Sequence, residues 1–218
     1  MVSQIAGDGL ELPPGATILI GRNGSGKSTL IEALAAVWGR RITAFRQDWV
    51  QQIAARPLDE DSDLHRALRL DYTSGGSTGG LFFRAERLHA QAEAFTKPGR
   101  WGERLGASPL LGRSHGEGFR EVLAGMTAEP GLYILDEPEA ALSFDSSLVL
   151  VTLMSDMVKA GSQLIVATHS PILAALPGAV LLQLDEQGIH STSYDECDLV
   201  AAWRSFMDTP ENYVRYLT

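Results

Sequence analysis

The run Gly21-Arg22-Asn23-Gly24-Ser25-Gly26-Lys27-Ser28-Thr29 constrains this chain more than any other stretch of its sequence. Glycines at 21, 24 and 26 open backbone conformations closed to other residues, so that N–H groups can turn inward around an anion. Upstream, residues 16–20 (Ala-Thr-Ile-Leu-Ile) form an apolar segment of the length of one buried strand. Downstream, residues 27–38 carry Leu30, Ile31, Leu34 and Val37 at the spacing of one buried helical face, with Gly39 as a stop. A strand, a glycine turn and a helix N-terminus in that order make a phosphate cradle, because the positive end of the helix points at the bound anion. Lys27 supplies a mobile cation for β- and γ-phosphates, and the Ser28 hydroxyl is a magnesium ligand.

The rest of the chain alternates between strand and helix patterns. Strands are expected at residues 41–45, 81–84, 132–135, 164–167 and 180–184, with 189–193 folded back as a hairpin after Asp185-Glu186-Gln187-Gly188. Helices are expected at 48–70, 85–95, 118–126, 145–159, 171–176, 198–207 and 210–217, the last with Thr209 as N-cap and Pro210 in the first position. Such alternation implies a mostly parallel sheet covered by helices, an α/β three-layer fold. Residues 74–80 (Ser-Gly-Gly-Ser-Thr-Gly-Gly) are the best internal boundary, since this composition holds no regular element. The 218 residues otherwise fit one domain, with a helical insert at about 85–120.

Two further strand ends carry chemistry. Leu132-Tyr133-Ile134-Leu135 runs into Asp136 and Glu137, and a parallel strand delivers its terminal acid to the sheet edge where phosphate loops also lie. Asp136 is placed to hold magnesium, and Glu137 to act as the general base toward a water molecule. Alone, a buried strand followed by Asp-Glu-Pro is also an ordinary turn; beside a phosphate loop it reads as chemistry. Leu164-Ile165-Val166-Ala167 repeats the design with Thr168-His169-Ser170-Pro171 at its end. His169 there is a candidate γ-phosphate contact, although a lone histidine after a strand is more often a turn residue.

Composition narrows the classes. The charge of −9 argues against a general DNA-coating protein. It is unevenly placed: residues 1–120 hold 15 Lys+Arg against 13 Asp+Glu, and residues 121–218 hold 3 against 14. A basic, aromatic stretch (Arg84, Arg87, Lys97, Arg100, Arg104, Arg113 and Arg120, with Phe95 and Trp101) is a candidate nucleic-acid face, or a surface with a few arginines. A single cysteine, Cys197, excludes an intramolecular disulfide and a zinc cluster. The apolar runs are too short to cross a bilayer and no secretory leader is visible, so a cytoplasmic location is expected.

Together these residues resemble the ATP-binding-cassette superfamily of ATPases, most nearly its soluble RecF-like and structural-maintenance-of-chromosomes branch. Four blocks carry the likeness: 21–29, Ser-His-Gly-Glu-Gly at 114–118, Leu-Asp-Glu-Pro-Glu-Ala-Ala-Leu-Ser at 135–143, and Ala-Thr-His-Ser-Pro at 167–171. The resemblance implies ATP and magnesium as cofactors, hydrolysis with Lys27, Glu137 and His169 as catalytic groups, and a dimer closed by ATP. In that arrangement Ser114, Gly116 and Glu117 cap the nucleotide of a neighbouring protomer. It also implies a glutamine-type loop ligand to the metal, for which Glu86 is the candidate and Gln47 its rival. His115 and Glu117 depart from the transporter signature, Ser143 stands where an aspartate is usual, and no aromatic precedes the loop to stack on adenine. The unusual signature and the abbreviated region before residue 81 count against a membrane partner, and a nucleic-acid or DNA-processing protein partner is expected. The alternative functions are the ATP-binding subunit of a transporter and a nucleotide switch with negligible hydrolysis.

Overall fold

The computed structural model describes residues 1–45, 64–72, 79–85, 130–140 and 142–215, with side chains of 40–45 left outside that description. Six strands form one sheet in the order β2-β3-β4-β1-β5-β6, where β1 is Ala16–Gly21, β2 Gly80–Arg84, β3 Leu132–Asp136, β4 Gln163–Ala167, β5 Val180–Asp185 and β6 Gly188–Thr192. All neighbours are parallel except β5 and β6, which the 185–188 turn joins as the expected hairpin.

Alternation along each strand divides the core in two. Ile18 and Ile20 of β1, Tyr133 and Leu135 of β3, and Leu164 and Val166 of β4 face one side. There they meet Leu150, Met154 and Met157 of the helix Phe144–Lys159, together with the helices Pro171–Ala174 and Asp198–Asp208. Leu19, Ile134, Ile165 and Ala167 face the other side, against Leu30, Ile31, Leu34 and Trp38 of the helix Lys27–Phe45. We number the helices α1 (Val2–Asp8), α2 (Lys27–Phe45), α3 (Leu64–Ala67), α4 (Phe144–Lys159), α5 (Pro171–Ala174), α6 (Asp198–Asp208) and α7 (Glu211–Val214). Helices on both faces of a largely parallel sheet give the three-layer α/β fold expected.

Two local expectations fail, each for a physical reason, and one helix was not foreseen. Gly39 does not stop α2, which runs 19 residues through the segment 41–45 expected to be a strand. One glycine costs a helix about 1 kcal/mol. The buried Trp38 immediately before it, and one hydrogen bond gained per added residue, outweigh that. Thr209 does not cap α7: its hydroxyl donates to the Ser205 carbonyl at 3.2 Å, closing α6 instead, and Pro210 stands just before the helix. Helix α1 has no counterpart in the sequence reading. It is fastened by the Gln4 amide, which donates to the Ile189 carbonyl (2.6 Å) and accepts from the Ile189 N–H (2.8 Å) as a neighbouring strand would. No helix among the described residues is long and apolar enough to cross a membrane.

Candidate functional site

Parallel pairing brings the strand ends to one edge. Leu19 of β1 and Asp136 of β3 both lie level with Ala167 of β4, and Arg84 of β2 lies level with Asp136. The loops leaving β1, β3 and β4 therefore open at the same place, the usual ligand edge of such a sheet.

The glycine-rich loop is built as its sequence implies. A Cβ at Gly21 (φ +153°) would lie 2.3 Å from the Leu184 carbonyl oxygen of β5, so no other residue fits this strand end. Ser25 N–H bonds the Arg22 carbonyl at 3.2 Å, closing a turn past Asn23 and Gly24, and Leu30 N–H bonds the Gly26 carbonyl at 2.9 Å to begin α2. Gly24 and Gly26 take positive φ. The start of α1 lies against this loop, since a Cβ on Gly26 would come within 2.9 Å of the Met1 methyl. Lys27 is 4% exposed, and its ammonium donates to the carbonyls of Gly21 (2.8 Å) and Arg22 (3.1 Å). Burial lowers its pKa, while Glu137, Asp136 and Glu139 oppose the shift. The Ser25 hydroxyl is buried without a hydrogen-bond partner, an orphan that phosphate oxygens would satisfy. Thr29, half-buried, sits in the first turn of α2.

Ser28 reaches across from α2 and donates to Asp136 Oδ1 at 3.2 Å. The Asp136 carboxyl is almost wholly buried, and its pKa rises to about 6 because desolvation outweighs Arg84 and the Ser28 hydrogen bond; Glu137 and Glu32 push it the same way. A buried carboxylate short of positive charge, beside a hydroxyl at a helix start, fits a magnesium ion. Among the described residues no group of three or more His, Cys, Asp or Glu could hold a metal. An ion between Ser28 and Asp136 would thus take its other ligands from phosphate oxygens and water.

Glu137 has φ +48°, the one non-glycine in the left-handed region among the described residues. This conformation costs about 1–2 kcal/mol. Its N–H donates to the Ala167 carbonyl at 2.9 Å, and its own carbonyl accepts from Ala140 N–H at 3.0 Å. The turn swings the carboxylate off the strand axis, where it is 41% exposed and 3.5 Å from His169 Nε2. Burial, helped by Lys27, lowers the His169 pKa against the pull of Glu137 and Glu139, so the imidazole is neutral at neutral pH.

Lys27, Ser28, Asp136, Glu137 and His169 therefore converge. Ser114, Gly116, Glu117, Glu86 and its rival Gln47 lie outside the described residues, as does the expected insert beyond Ala85. Four site residues were missed. Arg84, assigned to a basic surface, instead pairs with Glu32 of α2 and approaches Asp136 Oδ2 at 3.4 Å. It leaves the candidate nucleic-acid face for the site itself. The signal was its position at the end of β2, in register with Asp136. Glu32, Glu139 and Thr168 are the others: Glu139 Oε1 accepts from the Thr168 hydroxyl (2.6 Å) and from His169 N–H (2.8 Å). Ser143, read as a departure, N-caps α4 by accepting from Ser146 N–H at 3.2 Å.

A family profile described as AAA domain matches residues 6–55, the segment holding the glycine loop and α2. The cytochrome c biogenesis ATP-binding export protein CcmA of Rhodospirillum rubrum is 35% identical over 190 residues, spanning 79% of this chain and 75% of the relative. The same protein of Cupriavidus necator is 30% identical over 196 residues, 83% of this chain and 81% of the relative. The head domain of the SMC protein from Thermotoga maritima shares the fold at TM-score 0.50 and 17% identity, over 84% of this chain and 92% of that one. The expectation that set a membrane partner aside is overturned by these relatives, which are named as export proteins. Shared sequence across three quarters of both chains, with the nucleotide loop and the strand-end acids in place, makes this chain a member of the ATP-binding-cassette family of P-loop ATPases.

Proposed function

We propose that this chain is the ATP-hydrolysing subunit of a membrane transport system, working on the cytoplasmic side and engaging its membrane partner through a cycle of ATP binding and hydrolysis. The observation that carries the catalytic part is the meeting of Lys27, Ser28, Asp136 and Glu137 at one sheet edge. The names of the sequence relatives support the transport part. The likeness to the SMC head is one of fold, and it leaves the RecF-like placement without support from sequence.

In this reading N–H groups of the glycine-rich loop and the Lys27 ammonium hold the phosphates of ATP, the ammonium exchanging the Gly21 and Arg22 carbonyls for phosphate oxygens. Ser28 and Asp136 hold magnesium, which neutralises charge on the phosphates when bound. Glu137 accepts the proton of a water whose oxygen attacks the γ-phosphorus, and the bond to the bridging oxygen of ADP breaks to release phosphate. His169, neutral and beside Glu137, contacts the same water or the γ-phosphate. Ser114, Gly116 and Glu117 would close the site from a second protomer, so that ATP holds a dimer together.

The test is Glu137→Gln, which keeps the shape and removes the base. Turnover is expected to fall by about 100-fold or more. The variant is also expected to form an ATP-dependent dimer by light scattering and to co-purify with a polytopic membrane protein. Unchanged steady-state hydrolysis would overturn the mechanism. Recovery from the soluble fraction alone would overturn the transport role.

A further inference from the structure

Past the sheet edge, the backbone donors of the β4 loop run out of strand partners. Thr168 N–H still reaches the Leu19 carbonyl at 3.1 Å, and Glu137 N–H reaches Ala167 at 2.9 Å. The next donor, His169 N–H, has no strand beside it, and a polar backbone group in a partly buried loop needs an acceptor. That acceptor is a side chain, Glu139, from the turn that follows β3. The same oxygen receives the Thr168 hydroxyl, and the Thr168 oxygen in turn accepts Ser170 N–H at 2.9 Å. Ser170 then caps α5, its hydroxyl accepting from Ile172 N–H (3.2 Å) and Leu173 N–H (3.4 Å). His169 is thus gripped at its own N–H and through both neighbours. All three contacts trace to one carboxylate oxygen that stands two residues beyond Glu137. The other oxygen, Oε2, is buried without a hydrogen-bond partner, so the hydrogen bonding of the carboxylate is spent on the β4 loop alone.

We infer that Glu139 is a positioning residue, which splints the β4 loop to the β3 turn and so holds the His169 imidazole against Glu137. It acts through His169 and does not touch the reacting atoms. The inference rests on the hydrolytic reading of Glu137 and His169 above. The geometry explains why a carboxylate stands there: one oxygen must accept two donors at 2.6 and 2.8 Å, which a hydroxyl or a short apolar side chain does not reach. Glutamine retains an oxygen at that position, so Glu139→Gln keeps the splint while losing the charge. Alanine loses both.

The test compares Glu139→Ala, Glu139→Gln, His169→Ala and the Glu139→Ala/His169→Ala pair in the full chain. Glu139→Ala is expected to lower kcat about tenfold with KM for ATP changed less than about twofold, and Glu139→Gln to recover most of the rate. In the His169→Ala background Glu139→Ala is expected to add no further loss, because the group it positions is gone. A readout independent of turnover is amide hydrogen exchange over residues 168–170, expected to quicken about tenfold in Glu139→Ala and to stay near wild type in Glu139→Gln. Unchanged exchange in Glu139→Ala, or an equal kcat loss with and without His169, would overturn the splint and leave the hydrolytic reading of Glu137 standing. If His169→Ala alone leaves kcat unchanged, the role given to His169 and this inference fall together, whatever Glu137→Gln does.

Discussion

The glycine-rich loop and the pair of turns after β3 and β4 face the same substrate but are made by different means. The loop is contiguous. Its shape comes from Gly21, Gly24 and Gly26, its charge from Lys27, and its orientation from the start of α2. The second region is assembled across strands: Asp136 from β3, Arg84 from β2, Glu32 and Ser28 from α2, and the Thr168–His169 turn held by Glu139. The loop binds phosphate by backbone geometry, which needs little beyond local conformation. In the proposed mechanism the second region handles proton transfer, which needs groups placed to within a fraction of an ångström, and it is the cross-braced one. Substitutions in the two regions should fail differently.

The largest effect is expected where the loop's function depends on a single charge. Lys27→Ala should weaken ATP binding at least 100-fold, about 3 kcal/mol or more, as read by titration calorimetry. It should not destabilise the nucleotide-free protein. The Lys27 ammonium is desolvated and its pKa already lowered by burial, so the folded state bears a cost for keeping it charged. Denaturant unfolding should show the variant as stable as wild type or more so. A loss of stability comparable with the loss of affinity would mean that Lys27 braces the loop, and would break the distinction between the two regions.

That division also explains what could be read in advance. The loop, both strand-end acids and His169 were legible because each depends on neighbours in sequence: an apolar run, then a polar group at its end. The three-layer fold followed from the same alternation. Arg84, Glu32 and Glu139 were not, because each acquires its role only when β2, α2 and β4 come together in register. Gly39 misled because a single residue's propensity was weighed without the Trp38 packing that overrides it. The start of α7 was misread in a similar way. Thr209 and Pro210 form a good local start signal, yet the Thr209 hydroxyl is taken by the preceding helix.

Within the loop itself the glycines are not equivalent, and the next prediction separates them. Gly21→Ala must displace the β5 backbone, since its Cβ would meet a carbonyl oxygen at 2.3 Å. A destabilisation of about 3 kcal/mol is expected, at the upper end of overpacking costs. Gly24→Ala meets nothing within 4 Å and carries only the cost of φ +76°, about 1 kcal/mol. Thermal unfolding of the two variants should therefore differ by several degrees, with Gly21→Ala the lower. Equal shifts would show that the strand end gives way as easily as the loop tip, and the loop would then be no more local than the braced region.

The last effect belongs to the braced region and has a sign opposite to ordinary acid denaturation. The Asp136 carboxyl titrates near 6 in the folded chain against an ordinary value of 3.8, because burial outweighs the help of Arg84 and Ser28. Between those two values the folded state holds a proton that the unfolded state has released. From this group alone, stability falls as pH rises from about 4 to 6 and is level above that. The magnesium- and nucleotide-free protein should therefore gain up to about 3 kcal/mol as pH is lowered through that window. Asp136→Asn, which cannot titrate, should lose that dependence, so the difference between wild type and variant in urea unfolding at pH 4, 5, 6 and 7 isolates the term. Bound magnesium needs the ionised carboxylate, so the affinity for Mg·ATP should run the other way and weaken below pH 6. A difference that is flat with pH would mean that Arg84 neutralises Asp136 fully, and the pair would then be a structural brace with no carboxylate in reserve for a metal.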